Sequence, residues 1–546
     1  MPAAPPVSSS TRAAWQGLTI LIIAVTFASS CWRATRPAGR RQSAVRPEAL
    51  RSPSAPAPIH NGIASEADAL EQGPIELDIS QAVLLALEQN AELAVRRLVP
   101  AIAVTFEDER EARFDSVIGA SGTYSRERSQ RLSQAGDRES SLSETIAAAV
   151  SVSRFLPTGT DVALEARTSE TSSSPAGSTL ATTRLGLSLT QALLRGYGRE
   201  VNRAEVRQAR LDTLFSQYEL RGFAEFLAAE VERTCWDLLL AERQMEIVTE
   251  SLELARRQLV ETRERISIGL LAEIEMAAAE AEVALRYEAV IDAKSTLAAV
   301  RLRLISLINP GGPDMWAREI QVADIPVDEP DELDEVAEHV ELAVMMRPDL
   351  NQARLQMERD ELELVTTRNG LLPRLDLFVT LGKTGYASTF RDSVENLSDD
   401  SYDLFTGLSL QYPPSNRQAR ARHDRAILLR ARSGEAILNL ETLINLDVRT
   451  AYIEVERAAE QITATRATRR FQQEALRGET EKFRVGMSTS FLVGQAQRDL
   501  VAAQIAEVRA LVNYRKALVE LYRLEGSLLA RRGIAAPGSA PPVMRD

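Results

Sequence analysis

Aromatic side chains make up only 5% of this 546-residue chain, which also holds just two cysteines and three histidines. So few aromatics argue against an ordinary globular core. Alanine, leucine and charged residues dominate instead, a composition that suits long helices meeting at close range. Two cysteines, Cys31 and Cys235, cannot make a disulfide framework. His60, His339 and His423 stand isolated, and no H-E-x-x-H, G-x-S-x-G or P-loop spacing occurs, so the expectation is no enzyme, no metal site and no cofactor. Positive charge is also short. Sixty-four basic residues against 77 acidic ones leave a net charge of −13, which disfavours nucleic acid as a partner because phosphate binding needs concentrated positive charge. A long apolar span is lacking too, so no transmembrane helix is expected.

The start of the chain has one short apolar run. Leu18 to Phe27 (LTILIIAVTF) follows a single charge, Arg12, and ends in Ala28-Ser29-Ser30-Cys31. A short apolar run followed by small residues is an export signal. The position of Cys31 resembles a bacterial lipoprotein signal, in which that cysteine is lipidated and becomes the mature N-terminus. On this reading residues 1–30 are a signal peptide and the Pro-, Ala-, Ser- and Arg-rich stretch 31–74 is a disordered tether. Residues 531–546 form a second disordered tail. Cys235 lies mid-helix and is expected to be a small buried apolar residue.

Between these tails the chain is duplicated. At an offset of 217 residues, 231–309 overlay 448–526 without a gap: Val231 meets Val448, Ala241 meets Ala458, Ala279 meets Ala496. Upstream, an offset of 257 sets residues 86–97 over 343–354. The repeats are expected at 75–310 and 331–530, joined by a linker at 311–330. In the second, Ala496, Ala503, Ala510 and Ala517 recur every seven residues within an alternation of threes and fours broken only at Glu507. In the first, the series from Met276 to Leu307 is broken only at Arg286. A sustained seven-residue apolar period marks helices that supercoil around neighbours.

Each repeat also holds short alternating stretches. Leu375, Leu377, Val379 and Leu381 alternate with other residues in one, as do Tyr402, Leu404, Leu408 and Leu410 in another. In the first repeat the alternation is at Leu185, Leu187 and Leu189, and at Ile118, Ala120 and Tyr124. Alternation over about ten residues suits transmembrane barrel strands. Residues 144–167 could add a further hairpin. The long helices are cut twice by turn chemistry, at ERISIGLLAEIEM (264–276) and EKFRVGMSTSFLV (481–493). Gly269 and Gly486 supply left-handed backbone that stops a helix, and Ser488 or Thr489 can cap the next one.

From about Leu77 to Leu529 the chain resembles the outer-membrane efflux proteins, the TolC-like trimeric channels, of the lipoprotein type. LDISQAVLLALEQNAEL and MMRPDL resemble the short helices that open each repeat, and LLPRLDL resembles the start of a strand. LTQALLRGYGREVNRAEV and SLQYPPSNRQARARHDRA resemble the strand-to-helix exits. CWDLLLAERQ and AYIEVERAAEQ resemble a long-helix motif that usually carries tyrosine, here Cys235 and Tyr452. FRVGMSTSFL is among the more specific local matches.

The resemblance implies a mainly α fold with transmembrane β: two repeats of helix, strand, strand, long helix and helix. Four strands from each chain of a homotrimer would close a twelve-stranded barrel above an α-helical periplasmic tunnel. It further implies an outer-membrane channel of a tripartite efflux or type I secretion system, lipid-anchored and extending into the periplasm. The implied partners are a periplasmic adaptor (membrane fusion protein), an inner-membrane efflux pump or ABC exporter, and outer-membrane lipid. The adaptor would dock on Ile268, Gly269, Leu270, Val485, Gly486, Met487, Ser488 and Thr489. One departure stands out. Many members carry acidic residues six and nine positions after the second-repeat glycine, where this chain has Leu492 and Gln495; Glu273 and Glu275 in the first repeat are the candidates for an acidic ring at the tunnel mouth. The alternative is a periplasmic coiled-coil adaptor or structural protein of an export complex, which would not need alternating strands between its helices.

Overall fold

A computed structural model of the protein describes residues 75–132, 138–174, 178–309, 316, 320–322 and 333–535. The signal peptide, Cys31, the tether and most of the linker and tail lie outside the described residues. In chain order the elements are β1 (Ile75–Leu77), α1 (Ile79–Gln89), α2 (Ala91–Glu111), β2 (Ser116–Leu132), β3 (Arg138–Leu156), β4 (Thr160–Ser173) and β5 (Ser178–Ala192). Next come α3 (Arg199–Asn202), α4 (Ala204–Ser267), α5 (Ile274–Ile308), β6 (Ile320–Val322), α6 (Val336–Met346) and α7 (Pro348–Gly370). The last are β7 (Arg374–Ala387), α8 (Phe390–Glu395), β8 (Tyr402–Gln411), α9 (Arg417–Arg484), α10 (Ser490–Glu525) and α11 (Leu528–Arg531). Two compact units emerge, each drawing on both repeats: one holds the strands β2 to β5, β7 and β8, the other the long helices.

In the helical unit the duplication is visible residue by residue. Helices α1 and α6 both end on a residue in extended backbone, Asn90 (φ −60°, ψ 124°) and Arg347 (φ −62°, ψ 123°), before α2 and α7 begin. Their offset partners Ala86 and Ala343 are both fully buried. Two apolar clusters form, the first of them drawing also on Val512 and Val519 of α10. Leu227, Val231, Cys235 and Leu238 of α4 meet Leu304 and Ile308 of α5 in the first. Ile444, Val448 and Val455 of α9 meet Ala510, Tyr514 and Leu521 of α10 in the second. Cys235 is fully buried, and burial first, then the charges of Glu232 and Asp78, pushes its thiol up to about 12, so it behaves as an apolar side chain. The alanines of the seven-residue period are all buried, at 8% exposure or less for Ala496, Ala503 and Ala510 and 9% for Ala517.

The two residues that break the seven-residue period are explained by ion pairs. Arg286 donates from Nε to Glu282 at 2.9 Å within α5, and Glu507 of α10 pairs with Arg469 of α9 at 2.5 Å. Arg532, expected in the tail, grips buried Glu232 of α4 through Nε and Nη2 at 2.8 and 2.7 Å. Two turns earlier on α4, Glu225 is 3% exposed and accepts the Leu529 N–H at 3.2 Å.

Burial is the largest influence on Glu225 and lifts its pKa to about 7, against the opposing pull of the Leu529 N–H and of Arg221 and Arg523. A carboxyl raised above its ordinary value stabilises fully below that ordinary value, near 4.5, and loses the contribution as pH climbs toward 7. The swing is on the order of 3 kcal/mol. The thermal midpoint should therefore fall between pH 5 and pH 7.5, and Glu225→Gln should flatten that fall. An identical slope in the variant would show that another group governs it.

The sheet unit departs from the expectation. Its single sheet has six strands in the order β2-β3-β4-β5-β7-β8, every neighbouring pair antiparallel. Among the described residues this sheet therefore has six strands, not four, and between the helices of the first repeat lie four of them. Four per chain was the premise of a twelve-stranded barrel. The two additional strands, β3 and β4, contain the stretch 144–167, joined through a tight turn after Leu156 in which Gly159 donates its N–H to the Leu156 carbonyl at 2.9 Å.

Candidate docking site at two helix reversals

Helix α4 runs 64 residues and α9 runs 68, about 96 and 102 Å at 1.5 Å per residue. Each ends the same way. Gly269 stands at φ +74° and Gly486 at φ +76°, the left-handed region where a side chain is strained. The Gly269 N–H donates to the Ile266 carbonyl at 2.9 Å and the Leu270 N–H to Arg265 at 2.8 Å. The Gly486 N–H donates to Phe483 at 3.2 Å and the Met487 N–H to Lys482 at 2.8 Å. This pair of crossed bonds is a Schellman stop, which satisfies the last carbonyls of the helix.

The returning helices start differently. Thr489 caps α10, its side chain accepting the Leu492 N–H at 3.4 Å. Ser488 is not the cap; its Oγ donates to Glu479 of α9 at 2.9 Å. Lys482 first, then that hydroxyl, hold the Glu479 carboxyl below its ordinary value. In the first repeat Glu273 precedes α5 with no side-chain capping bond.

The two hairpins that carry the expected docking residues are bonded to each other through flanking side chains. Ser490 of α10 donates to the Glu275 carboxylate of α5. Arg498 of α10 pairs with Glu282 of α5 at 2.6 Å, and Gln497 donates to Gln258 of α4 at 2.9 Å. Arg265 lies over the Phe483 ring at 5.2 Å. Contacts between hairpins more than two hundred residues apart leave no periodicity in the sequence, and this set was not legible there. The nearest signal was Arg286, which shares Glu282 with Arg498.

Around these bonds the reversals present bare apolar side chains. Ile268, Leu270, Val485 and Met487 are 69 to 79% exposed, and Ile274 and Phe491 beside them are exposed as well. A run of adjacent exposed apolar groups marks an interaction surface. Glu273 is exposed, whereas Glu275 is half-buried and bound by Ser490. Leu492 and Gln495 are exposed. Among the described residues no group of acidic, histidine and cysteine side chains could hold a metal ion, and no helix is long and apolar enough to cross a membrane.

Comparison with known proteins fits this architecture. Residues 340–527 match the family described as outer membrane efflux protein. Sequence comparison with curated proteins returns no match. Among solved structures, the CmeC outer membrane channel of Campylobacter jejuni aligns at TM-score 0.62 and 14% identity, covering 85% of this chain and 87% of that one. The open state of the MtrE outer membrane channel of Neisseria gonorrhoeae aligns at TM-score 0.59 and 18% identity, covering 83% and 89%. The outer membrane protein VceC of Vibrio cholerae aligns at TM-score 0.60 and 14% identity, covering 82% and 96%. Residues 340–527 are therefore similar to the outer membrane efflux protein family, and the chain shares the fold of these outer-membrane channels.

Proposed function

We propose that this chain is the outer-membrane channel of a tripartite efflux or type I secretion system. Three copies would form a passive exit duct across the periplasm and outer membrane. An inner-membrane transporter and a periplasmic adaptor would deliver the cargo. The observation that carries this reading is the pairing, in one chain, of a two-faced antiparallel sheet with duplicated hairpins of very long helices. A coiled-coil adaptor has no use for such a sheet. The apolar reversals at Gly269 and Gly486 would receive the adaptor, and their exposure supports that role. Of the two glutamates considered for an acidic ring, Glu273 keeps its carboxylate exposed while Ser490 already engages Glu275, so a ring would draw first on Glu273.

The N-terminal reading belongs to the same proposal: residues 1–30 direct export, and Cys31 carries lipid that anchors the chain in the outer membrane. Membrane fractionation should place the protein with the outer membrane as a trimer whose gel mobility changes on heating. Labelling with a fatty acid should mark the native chain and not Cys31→Ala. Equal labelling of both would remove the lipid anchor and leave the channel standing. A chain found free in the periplasm would remove the channel.

A further inference from the structure

The six strands share one two-sided pattern, kept in register across the whole sheet. On one face the pairing aligns Ile118, Val152, Leu164, Leu187, Leu381 and Leu404, one from each strand. All six are 39 to 67% exposed. Two residues along β3, the row through Arg154 adds Val162, Leu189 and Val379. Arg154 itself is tied to the Phe114 carbonyl at 2.9 Å. The opposite face carries a polar row, in which Ser151, Glu165, Gly186, Gly382 and Asp403 line up. There Arg184 makes a two-pronged pair with Asp403 at 2.7 and 2.6 Å.

Neither face is buried by a second layer in this unit. Only at the Thr183 end of β5 does α8 lie on the apolar side, where Ser393 bonds Thr183 at 2.7 Å. A sheet with a bare apolar face and a polar one suits a wall between hydrocarbon and water. The apolar band from Ile146 to Leu156 on β3 is about eleven residues, the roughly 9–11 that a tilted strand needs to cross a bilayer. Arg154 of β3, Glu170 of β4 and Lys383 of β7 are charges on this side, yet β3 and β4 pair along both edges in the middle of the sheet, so neither is marked as lying outside the wall. The flanking strands β2 and β8 each have one unpaired edge, which hydrocarbon does not tolerate. They also run in opposite directions. Head-to-tail copies can therefore close a ring in which every pair is antiparallel.

We propose that three copies of this chain close an eighteen-stranded barrel, three times the six strands of one chain, with the Ile118–Leu404 face against membrane hydrocarbon. This rests on the channel reading above and goes beyond it. Because barrel diameter grows roughly linearly with strand number, the opening at the membrane is about 1.5 times as wide as twelve strands allow. The polar row carrying Glu165 and Asp403 then lines a water-filled lumen.

Paired cysteines test the closure. Buried Cys235 stays out of the reaction. Cysteine at Ile118, Ala120 or Gly122 should form a disulfide with cysteine at Leu404 or Leu408 of a neighbouring copy, giving covalent trimers from outer-membrane fractions. If a hairpin is instead left outside the wall, Leu164→Cys would bond to Leu404→Cys between copies, or Ile118→Cys to Leu187→Cys within one, and either result overturns the proposal. Electron micrographs of the unmodified trimer viewed down its axis give a second readout, in which a barrel of twelve-stranded width would overturn it equally. Outer-membrane trimers with that narrower width would leave the channel reading intact and remove only the strand count.

Discussion

Ala510→Trp is expected to abolish heat-resistant trimers and to make the long helices sensitive to protease. Ala510 is 1% exposed and packs in the cluster that joins α9 to α10 through Ile444, Val448 and Tyr514. An indole there cannot be accommodated by rotating a side chain, because the alanine methyl is already at the contact. The helices must separate locally, at a cost of roughly 1–3 kcal/mol or more per site. Every copy in an assembly bears that cost at the same level. Separation there also disturbs the registry of Ala503 and Ala517, one period away on each side and themselves buried. Ala502→Trp, at an exposed position on the same helix, adds the same volume without entering this cluster. The comparison is the thermal midpoint of the two variants and the native chain. If Ala510→Trp melts with the native chain, the seven-residue period does not describe the packing.

Much of the helical unit is legible in the sequence because its determinants are local and periodic. The seven-residue period, the offset of 217 residues and the two glycine stops each act within a few turns of helix. The structure places Val231 and Val448, and Ala241 and Ala458, at equally buried positions. The sheet was read less well, for a physical reason. A strand that faces lipid on one side and water on the other needs only alternate apolar residues. In β3 and β4 alternation is diluted by alanine, serine and threonine and interrupted by Glu144, Arg154 and Glu170 on the apolar face. Each strand alone is a weak signal. The pattern becomes strong only when register sets Val152 beside Leu164 and Leu187, and register is a non-local property. The same holds at the helix reversals. Glycine positions announce the reversals, but the bonds of Arg498 to Glu282 and of Ser490 to Glu275, which bring the reversals together, depend on two hairpins meeting. The end of the chain shows the reverse case: RRGIAAPG has the composition of a tail, yet Arg532 finds a buried carboxylate three hundred residues earlier.

Replacing both stop glycines, Gly269→Val with Gly486→Val, is expected to leave trimers in the outer membrane while export and crosslinking to the adaptor are lost. A β-carbon at either position would meet nothing within 4 Å, so no clash inside the chain opposes it. The cost is confined to the backbone, about 1–2 kcal/mol for a left-handed residue bearing a side chain. That strain falls on two exposed reversals, whereas assembly draws on the clusters around Leu238 and Ile444 and on the sheet. A partner that closes over Leu270 and Met487, by contrast, meets two new branched side chains in the middle of its contact, at positions where the native chain has none. Strain and shape can be separated with Gly269→Asn and Gly486→Asn, since asparagine accepts left-handed backbone more readily than valine yet still adds bulk. If docking depends on shape, the asparagine pair should fail to crosslink as well while its thermal midpoint stays close to native. Normal export by the valine pair would defeat the docking assignment. Loss of the trimer in both pairs would show that these glycines serve the fold alone.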